Sequence, residues 1–244
     1  MIEMQHVSKT YGKSEPAVDD LSITVRDGEI VGFIGPNGAG KTTTIRMMTG
    51  ILRPDAGEIK INGIHMAPDA LEAKRIVGYI SDNPDMFLKL TGYEFVGFMA
   101  DIYGVSEEDR KSRTQYYAEQ FGMTEALADR MQSYSHGMRQ KAMIIAALVH
   151  EPPIWILDEP MIGLDPQSAF NLKRMMREHA DKGNSVLFST HVLEVAEKLC
   201  DRVIIISHGK QRFYGTLEEL KGSAKGEDLE QVFLELMKDT GSEG

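Results

Sequence analysis

Short apolar runs alternate with longer stretches of helical periodicity along most of the chain. Apolar or alternating runs predict β-strands, and apolar positions spaced three or four residues apart predict helices. The predicted strands are residues 21–25, 29–34, 58–61, 76–80, 154–157, 186–189 and 203–206. The predicted helices outside the central part of the chain are residues 42–48, 167–182 and 227–238.

A block of helices interrupts this alternation. The apolar side chains of residues 91–103 and 138–149 recur at helical spacing, and residues 107–121 form a charged segment predicted to be a solvated helix. Strands alternating with helices on both sides of the block indicate a mostly parallel sheet. The sequence therefore predicts an α/β fold with an antiparallel, β-rich N-terminal part and an inserted α-helical subdomain.

We expect one domain over residues 1–244. Its α/β core would be residues 1–84 and 152–220, and the helical subdomain residues 85–151. Residues 221–244 would form a C-terminal loop, 221–226, and the last helix.

Composition narrows the class of protein. The chain has 244 residues and a formal net charge of −10, which argues against binding of nucleic acid through phosphate neutralisation. The only cysteine, Cys200, cannot form an intrachain disulfide, so we expect a reducing compartment. The longest wholly apolar run, residues 142–149, is far shorter than the roughly 18 residues of a membrane span. Residues 1–6 lack the charge and apolar pattern of a signal peptide.

A glycine-rich run between the strand 29–34 and the helix 42–48 matches the phosphate-loop motif G-x-x-x-x-G-K-[ST]. It comprises Gly35, Pro36, Asn37, Gly38, Ala39, Gly40, Lys41, Thr42 and Thr43. Backbone N–H groups of such a loop surround an anion at a helix N-terminus. Lys41 is expected to reach the β- and γ-phosphates, and the Thr42 hydroxyl to ligate Mg²⁺.

Two carboxylates follow the apolar strand 154–157. Asp158 and Glu159 lie where that strand ends, which is the edge where ligands bind in open α/β sheets. We expect Asp158 to hold Mg²⁺, and Glu159 to polarise an attacking water molecule.

Three further motifs narrow the choice among nucleotide hydrolases. They are the signature segment Ser135-His136-Gly137-Met138-Arg139-Gln140, then Gly163-Leu164-Asp165-Pro166, then Ser189-Thr190-His191. In this order and with the phosphate loop, they resemble the ATP-binding cassette (ABC) family over essentially the whole chain. The chain is thus identified as similar to a nucleotide-binding subunit of an ABC transporter, with a P-loop NTPase-type core.

The resemblance implies an ATPase that binds ATP and Mg²⁺ as a head-to-tail dimer, with two ATP molecules between the subunits. Ser135 and the Gly137 N–H would contact the γ-phosphate across the interface, and Asp165 would communicate between subunits. His191 would sense the γ-phosphate and position water near Glu159. Lys41, Glu159 and His191 would therefore be the catalytic residues.

The resemblance also implies that Tyr11 stacks on adenine. The sequence departs from the family pattern in two places. Where the family usually has Leu-Ser-Gly-Gly-Gln, this chain has His136 and Met138 around Gly137. Asp82 stands where the family has a glutamine, and it is either a metal ligand or a plain loop acid.

The implied partners are an integral membrane transporter subunit and a second copy of this chain or a similar ATPase subunit. The apolar, aromatic segment 86–103 corresponds to the family's docking surface for the membrane subunit. We therefore expect a peripheral location at the cytoplasmic face of the cell membrane, with no nucleic acid bound. The tail 230–236 resembles the drug, peptide and ion efflux branch, which favours export. Two alternatives remain: a soluble ABC ATPase acting on ribosomes or DNA, and a weakly hydrolysing, ATP-dependent switch.

Overall fold

The computed structural model of the chain describes residues 1–12, 15–85, 87–223 and 229–238. The strands are β1 (Ile2–Thr10), β2 (Pro16–Val25), β3 (Ile30–Ile34), β4 (Ala56–Ile61), β5 (Ile64–His65), β6 (Val77–Ile80), β7 (Ile154–Leu157), β8 (Ser185–Thr190), β9 (Arg202–Ser207) and β10 (Lys210–Gly215). The helices are α1 (Lys41–Met48), α2 (Leu71–Arg75), α3 (Gly92–Ile102), α4 (Glu107–Phe121), α5 (His136–Leu148), α6 (Pro166–Asp181), α7 (Leu193–Leu199), α8 (Leu217–Ser223) and α9 (Leu229–Lys238).

A six-stranded, mostly parallel sheet forms the centre of the molecule, in the order β10-β9-β3-β8-β7-β6. The strands from β9 to β6 pair in parallel, and β10 joins one edge as the antiparallel partner of β9. A second sheet, in the order β2-β1-β4-β5, is antiparallel throughout. The predicted mostly parallel core and antiparallel N-terminal part are therefore confirmed.

Apolar side chains cover both faces of the parallel sheet. Leu157 and Phe188 belong to a buried cluster shared with the helical block, whereas Ile156 and Leu187 belong to a cluster shared with the antiparallel sheet. Successive strand residues point to opposite faces, so a strand covered on both sides must be apolar throughout. This is why β7 and β8 appear in the sequence as uninterrupted apolar runs.

The helical block α3–α5 lies between β6 and β7, as predicted. Thr91 and Glu94 form a capping box that starts α3. The bounds of α4 agree with the prediction, but the prediction of a solvated helix is only half right. Tyr117, Ala118 and Phe121 bury one side of α4 in the core. A few apolar residues at helical spacing suffice to dock a helix whose other side is charged.

The C-terminal part corrects one prediction. The predicted loop 221–226 begins inside α8, and residues 224–226 lie outside the described residues. Thr216 and Glu219 form the reciprocal hydrogen bonds of a capping box that starts α8. Leu220 is then buried with Val232 of α9 in a cluster on the parallel sheet. The last predicted helix, 227–238, is confirmed from residue 229 onward.

Several elements were not predicted from the sequence. They are β1, β5, β10, α2, α7 and α8. None of the helices in the described part of the chain has the length and hydrophobicity that crossing a membrane requires.

Candidate functional site

The candidate site lies at the carboxyl edge of the parallel sheet. The phosphate loop follows β3, Asp158 and Glu159 follow β7, and His191 follows β8. Because β3, β8 and β7 are parallel neighbours, their carboxyl ends meet at one edge. A cleft of about 420 Å³ opens there. It is lined by Ala17, Asn37, Gly38, Gly40, Lys41, Thr42, Thr43, Asp82, His136, Gln140, Glu159, Ile162 and His191.

The phosphate loop is supported from both sides. Gly40 has a φ of 106°, and a Cβ at this position would overlap the carbonyl oxygen of Ala17 in β2. The N–H of Gly209, in the turn between β9 and β10, donates to the carbonyl of Ala39 at 3.0 Å. Only glycine satisfies both the conformation and the close approach at residue 40.

The Lys41 side chain folds back over this loop. Its Nζ donates to the carbonyl oxygens of Gly35 at 2.7 Å and Pro36 at 3.2 Å. The same Nζ lies 3.6 Å from the Glu159 carboxylate. The side chain is 6% exposed, so an anion entering the loop would meet a positive charge shielded from bulk water.

Glu159 lies between two basic groups. Both of its carboxylate oxygens are 3.2 Å from His191 Nδ1, and one of them is 3.6 Å from Lys41 Nζ. Its backbone N–H donates to Ser189 Oγ at 2.8 Å, and its φ of 47° is left-handed. A non-glycine residue adopts this conformation only where its surroundings enforce it.

Asp158 is fully buried beneath the cleft. Its Oδ1 accepts a hydrogen bond from Ser189 Oγ at 2.6 Å. Its Oδ2 has no hydrogen-bond partner among the residues that the structure describes. Burial raises the pKa of Asp158, and the neighbouring hydroxyl groups of Ser189 and Thr42 partly offset that rise. A buried carboxylate oxygen without a partner is a group that a cation can satisfy.

The signature segment begins α5. The Ser135 side chain accepts a hydrogen bond from the Met138 N–H at 3.3 Å, which makes Ser135 the N-cap. Asp165 caps α6 in the same way, through the Ser168 N–H at 3.0 Å. Asp165 also pairs with Lys141 of α5 at 2.6 Å.

Comparison with known proteins decides the family. A family model described as ABC transporter matches residues 18–162, more than half of the chain. The chain belongs to the ABC transporter family. The linearmycin resistance ATP-binding protein LnrL of Bacillus subtilis (strain 168) is 33% identical over 95% of this chain and 74% of its own length.

Solved structures agree with this assignment. One, titled as the structure of an ATP-binding subunit of an ABC transporter, has a TM-score of 0.90 and 35% identity, over 97% of this chain and 99% of that chain. Another is the dimeric, post-hydrolysis state of an ATP-binding cassette bound to ADP and Pi. It has a TM-score of 0.80 and 25% identity, over 89% of this chain and 99% of that chain. This chain is therefore the ATP-binding, ATP-hydrolysing subunit of an ABC transporter.

The structure of this ABC ATPase brings together many of the predicted site residues, but not all. Tyr11 follows β1, is 48% exposed and does not line the cleft. Ser135, Gly137 and Asp165 also lie outside the lining, near the start of α5 and α6. Asp82 lines the cleft, although its carboxylate also lies 4.0 Å from the Arg46 guanidinium.

The sequence analysis gave no role to Ser189, whose hydroxyl contacts both the Asp158 carboxylate and the Glu159 backbone N–H. The register of the parallel strands β7 and β8 is the signal that could have identified Ser189. In the β7·β8 pair, Leu157 lies beside Phe188, so Asp158 and Ser189 are the next residues of adjacent parallel strands. Gln140 and Ile162, which line the cleft of the ABC ATPase, were likewise given no role.

Proposed function

We propose that this chain is the ATPase subunit of an ABC exporter and works as a head-to-tail pair that encloses two ATP molecules. The observation that carries the proposal is the arrangement of Lys41, Glu159 and His191 around one cleft, with Asp158 buried beneath it. The partner in the pair would be a second copy or a similar ATPase subunit. The dimeric relative bound to ADP and Pi supports this assembly.

The phosphate loop would bind the ATP phosphates through its backbone N–H groups and Lys41. Tyr11 is exposed next to β1 and is free to stack on adenine, an interaction that tolerates different bases. Ser135 and the Gly137 N–H of the partner copy would complete the γ-phosphate site. Asp165 would communicate between the copies.

The residues beneath the cleft fit a magnesium ion. The buried Asp158 Oδ2 without a partner and the nearby Thr42 hydroxyl are hard oxygen ligands, and Asp82 adds a carboxylate to the same cleft. The described residues contain no cluster of three or more His, Cys, Asp or Glu side chains arranged for a metal. That agrees with Mg²⁺, which binds through few carboxylates together with the substrate's phosphates. When bound, it would neutralise charge on the β- and γ-phosphates.

Glu159 would act as the general base for the attacking water molecule. The His191 imidazole, 3.2 Å from both carboxylate oxygens, would hold this carboxylate in place and contact the γ-phosphate. Lys41 would stabilise the negative charge that spreads over the phosphate oxygens during transfer.

The membrane subunit would dock on the solvent-exposed face of α3, where Tyr93 lies along one edge and Phe98 and Ile102 lie along the other. Tyr93, Phe98 and Ile102 are between 44% and 55% exposed and Phe87 is 43% exposed, whereas Phe95 is buried in the core. Met86, in the same predicted surface, lies outside the described residues. A cleft of about 760 Å³ between α3 and α4 adjoins this face. An amphipathic helix of the membrane subunit fits such a surface, which would hold the protein at the cytoplasmic face of the membrane.

Export rather than import is favoured by the relative whose name is that of a linearmycin resistance protein. Resistance to a toxic compound is commonly achieved by moving it out of the cell. Residues 230–236 of α9, which resemble the tail of the efflux branch, also favour export.

Three variants test the ATPase assignment. Glu159→Gln should keep ATP affinity, lower kcat by roughly a hundredfold or more, and accumulate ATP-bound dimers measurable by light scattering. Lys41→Ala should lose ATP binding. Glu72→Gln, exposed on α2, is the matched control and should behave as wild type. Unchanged hydrolysis by Glu159→Gln would contradict the catalytic assignment.

The transporter assignment predicts that the chain binds a membrane subunit. Tagged Glu159→Gln protein is captured from detergent-solubilised native membranes with ATP and Mg²⁺, and bound chains are identified by mass spectrometry. A stoichiometric multi-span membrane protein is the expected result. Ribosomal or DNA-bound proteins in its place would contradict the transporter assignment and favour a soluble ABC ATPase.

A further inference from the structure

A second cleft, called here the amino-edge cleft, lies where the parallel strands β7 and β8 begin, at the opposite edge of the sheet from Lys41. It opens between α4 and α6, beside Glu151 before β7 and Asn184 before β8. Its volume is about 590 Å³, within the roughly 300–1,000 Å³ that is typical of small-molecule pockets. Among the described residues, none lines both this cleft and the cleft around Lys41. The amino-edge cleft is therefore separate from the nucleotide site.

A stacked pair of rings forms one wall of the amino-edge cleft. The Trp155 ring lies on the His179 imidazole with centroids 4.1 Å apart and an interplanar angle of 19°. The indole Nε1–H donates to the Pro152 carbonyl at 3.1 Å, and His179 Nε2 lies 3.3 Å from the Pro153 carbonyl. Burial is the largest cause that lowers the pKa of His179 to about 4, so its ring is neutral at pH 7. This wall is therefore flat, uncharged and held in place before any ligand arrives.

Tyr116 adds an aromatic side chain from α4. It lines the amino-edge cleft and is 45% exposed, so a ligand can reach it. Its ring meets the buried Tyr117 ring at an interplanar angle of 66°, with centroids 5.2 Å apart. Aromatic rings attract one another in offset or edge-to-face arrangements. A flat ring that entered the cleft would thus find aromatic side chains on both α4 and α6.

The charges around the amino-edge cleft leave one cation without a partner. Arg113 pairs with Glu151 at 3.0 Å, and Glu178 pairs with Arg174 at 3.2 Å. Lys182, the exposed residue that ends α6, forms no ion pair with any residue that the structure describes. It is the one charged lining residue there that is not already neutralised. Charge complementarity therefore favours a ligand with a single negative charge.

We propose that the amino-edge cleft is a second ligand site, which binds a small aromatic monoanion. The ring of the ligand would pack against Tyr116 and the Trp155–His179 pair, and its anionic group would bind the Lys182 ammonium. The Asn184 amide, whose Nδ2 lies 3.5 Å from His179 Nδ1, keeps a second N–H that can donate to the same anion. The inference does not depend on the proposed dimer, because every group that it uses belongs to one chain.

Two matched probes test this recognition in the full chain. Dansylate, a naphthalene sulfonate, carries the ring and the negative charge, whereas dansylamide carries the same ring without the charge. Trp155 is the only tryptophan of the chain, so transfer of its excitation energy to a bound dansyl ring reports binding. Dansylate should bind saturably, with a dissociation constant on the order of 100 µM, and dansylamide roughly tenfold more weakly. Excess ATP with Mg²⁺ should not displace dansylate.

Substitutions then separate the charge from the rings. Lys182→Met and Lys182→Gln should weaken dansylate binding roughly tenfold and leave dansylamide binding unchanged. Lys182→Arg should restore dansylate affinity. Tyr116→Ala should weaken the binding of both probes. Lys198→Met, which removes an exposed lysine of α7 paired with Glu194, is the matched control and should bind as wild type. Thermal unfolding of each variant verifies that the fold is intact.

Several results would overturn the inference. Absence of saturable dansylate binding at 10 times the expected dissociation constant, about 1 mM, would exclude the site. Equal affinities for dansylate and dansylamide, or unchanged dansylate affinity in folded Lys182→Met and Lys182→Gln, would refute recognition of an anion. Unchanged binding by Tyr116→Ala would refute recognition of the ring. Displacement of dansylate by ATP would place the probe in the nucleotide site instead.

Discussion

Acid should destabilise this protein through His150, which lies two residues after the end of α5. The imidazole stacks on the Tyr103 ring with centroids 3.6 Å apart. Both ring nitrogens are buried, and neither has a hydrogen-bond partner among the described residues. Burial is the largest cause that lowers the pKa of His150 to about 4, and the Arg113 guanidinium lowers it further.

The sign and size of the effect follow from the two pKa values. As pH falls below the ordinary value of about 6.5, the unfolded chain binds a proton that the folded chain refuses until about pH 4. Stability is therefore full above pH 6.5 and declines between about 6.5 and 4. At pH 5 the loss from His150 is about 2 kcal/mol, rising to about 3 kcal/mol below pH 4.

The assay is urea unfolding followed by circular dichroism at pH 7.5 and pH 5.0. His150→Phe keeps a ring against Tyr103 and should lose about 2 kcal/mol less than wild type between the two pH values. His179, stacked on Trp155, also has a pKa lowered to about 4 by burial, so the variant should retain a similar residual loss. His208→Asn, in the exposed turn after β9, should match wild type. An equal loss in wild type and His150→Phe would refute the reasoning.

Three other substitutions test the site and the fold. Ser189→Ala removes the hydroxyl that donates to Asp158, so kcat should fall roughly ten- to a hundredfold in a steady-state ATPase assay. An unchanged kcat would show that this hydroxyl is not needed to hold Asp158 for hydrolysis. Gly40→Ala forces a Cβ against the Ala17 carbonyl, so equilibrium binding of a fluorescent nucleotide should be lost, and retained affinity would show that the loop adapts. Thr216→Ala removes the cap of α8 and should lower the unfolding free energy by about 1 kcal/mol with ATPase activity intact; lost activity would contradict a purely structural role.

The edge of the sheet that forms the site could be predicted because its residues follow apolar strands directly. A run such as 154–157 predicts a buried strand, and Asp158 and Glu159 are then the first residues beyond it. Parallel neighbours bring such positions together without any knowledge of the loops between them. The same reasoning predicts the location of the phosphate loop and of His191, which also directly follow predicted strands.

Elements whose pattern is interrupted or weak could not be predicted. In β1, the buried residues Ile2, Met4 and Val7 do not alternate, because the pairing with β2 shifts register between Met4 and Val7 and His6 has a left-handed φ of 51°. Such a bulge inserts an extra residue and breaks the two-residue period. The edge strand β10 lacks a long apolar run because much of it is partly exposed.

Contacts between distant residues were also beyond the sequence pattern. The role of Ser189 depends on the register of β7 against β8, and the Lys141–Asp165 pair depends on how α5 packs against the start of α6. The residues in each of these contacts are too far apart in the sequence for a local rule such as helical periodicity to pair them. These contacts depend on tertiary packing, which cannot be predicted from the hydrophobic pattern of a single sequence.

The two supports of the phosphate loop are made at different times during synthesis of the chain. Ala17 of β2 leaves the ribosome before the loop, but Gly209, whose N–H binds the Ala39 carbonyl, is made long after Asp158 and Glu159. A nascent chain can thus contain every group proposed for catalysis while its phosphate loop still lacks one support. The loop therefore gains its second support only after the turn between β9 and β10 has been made and β9 has paired with β3.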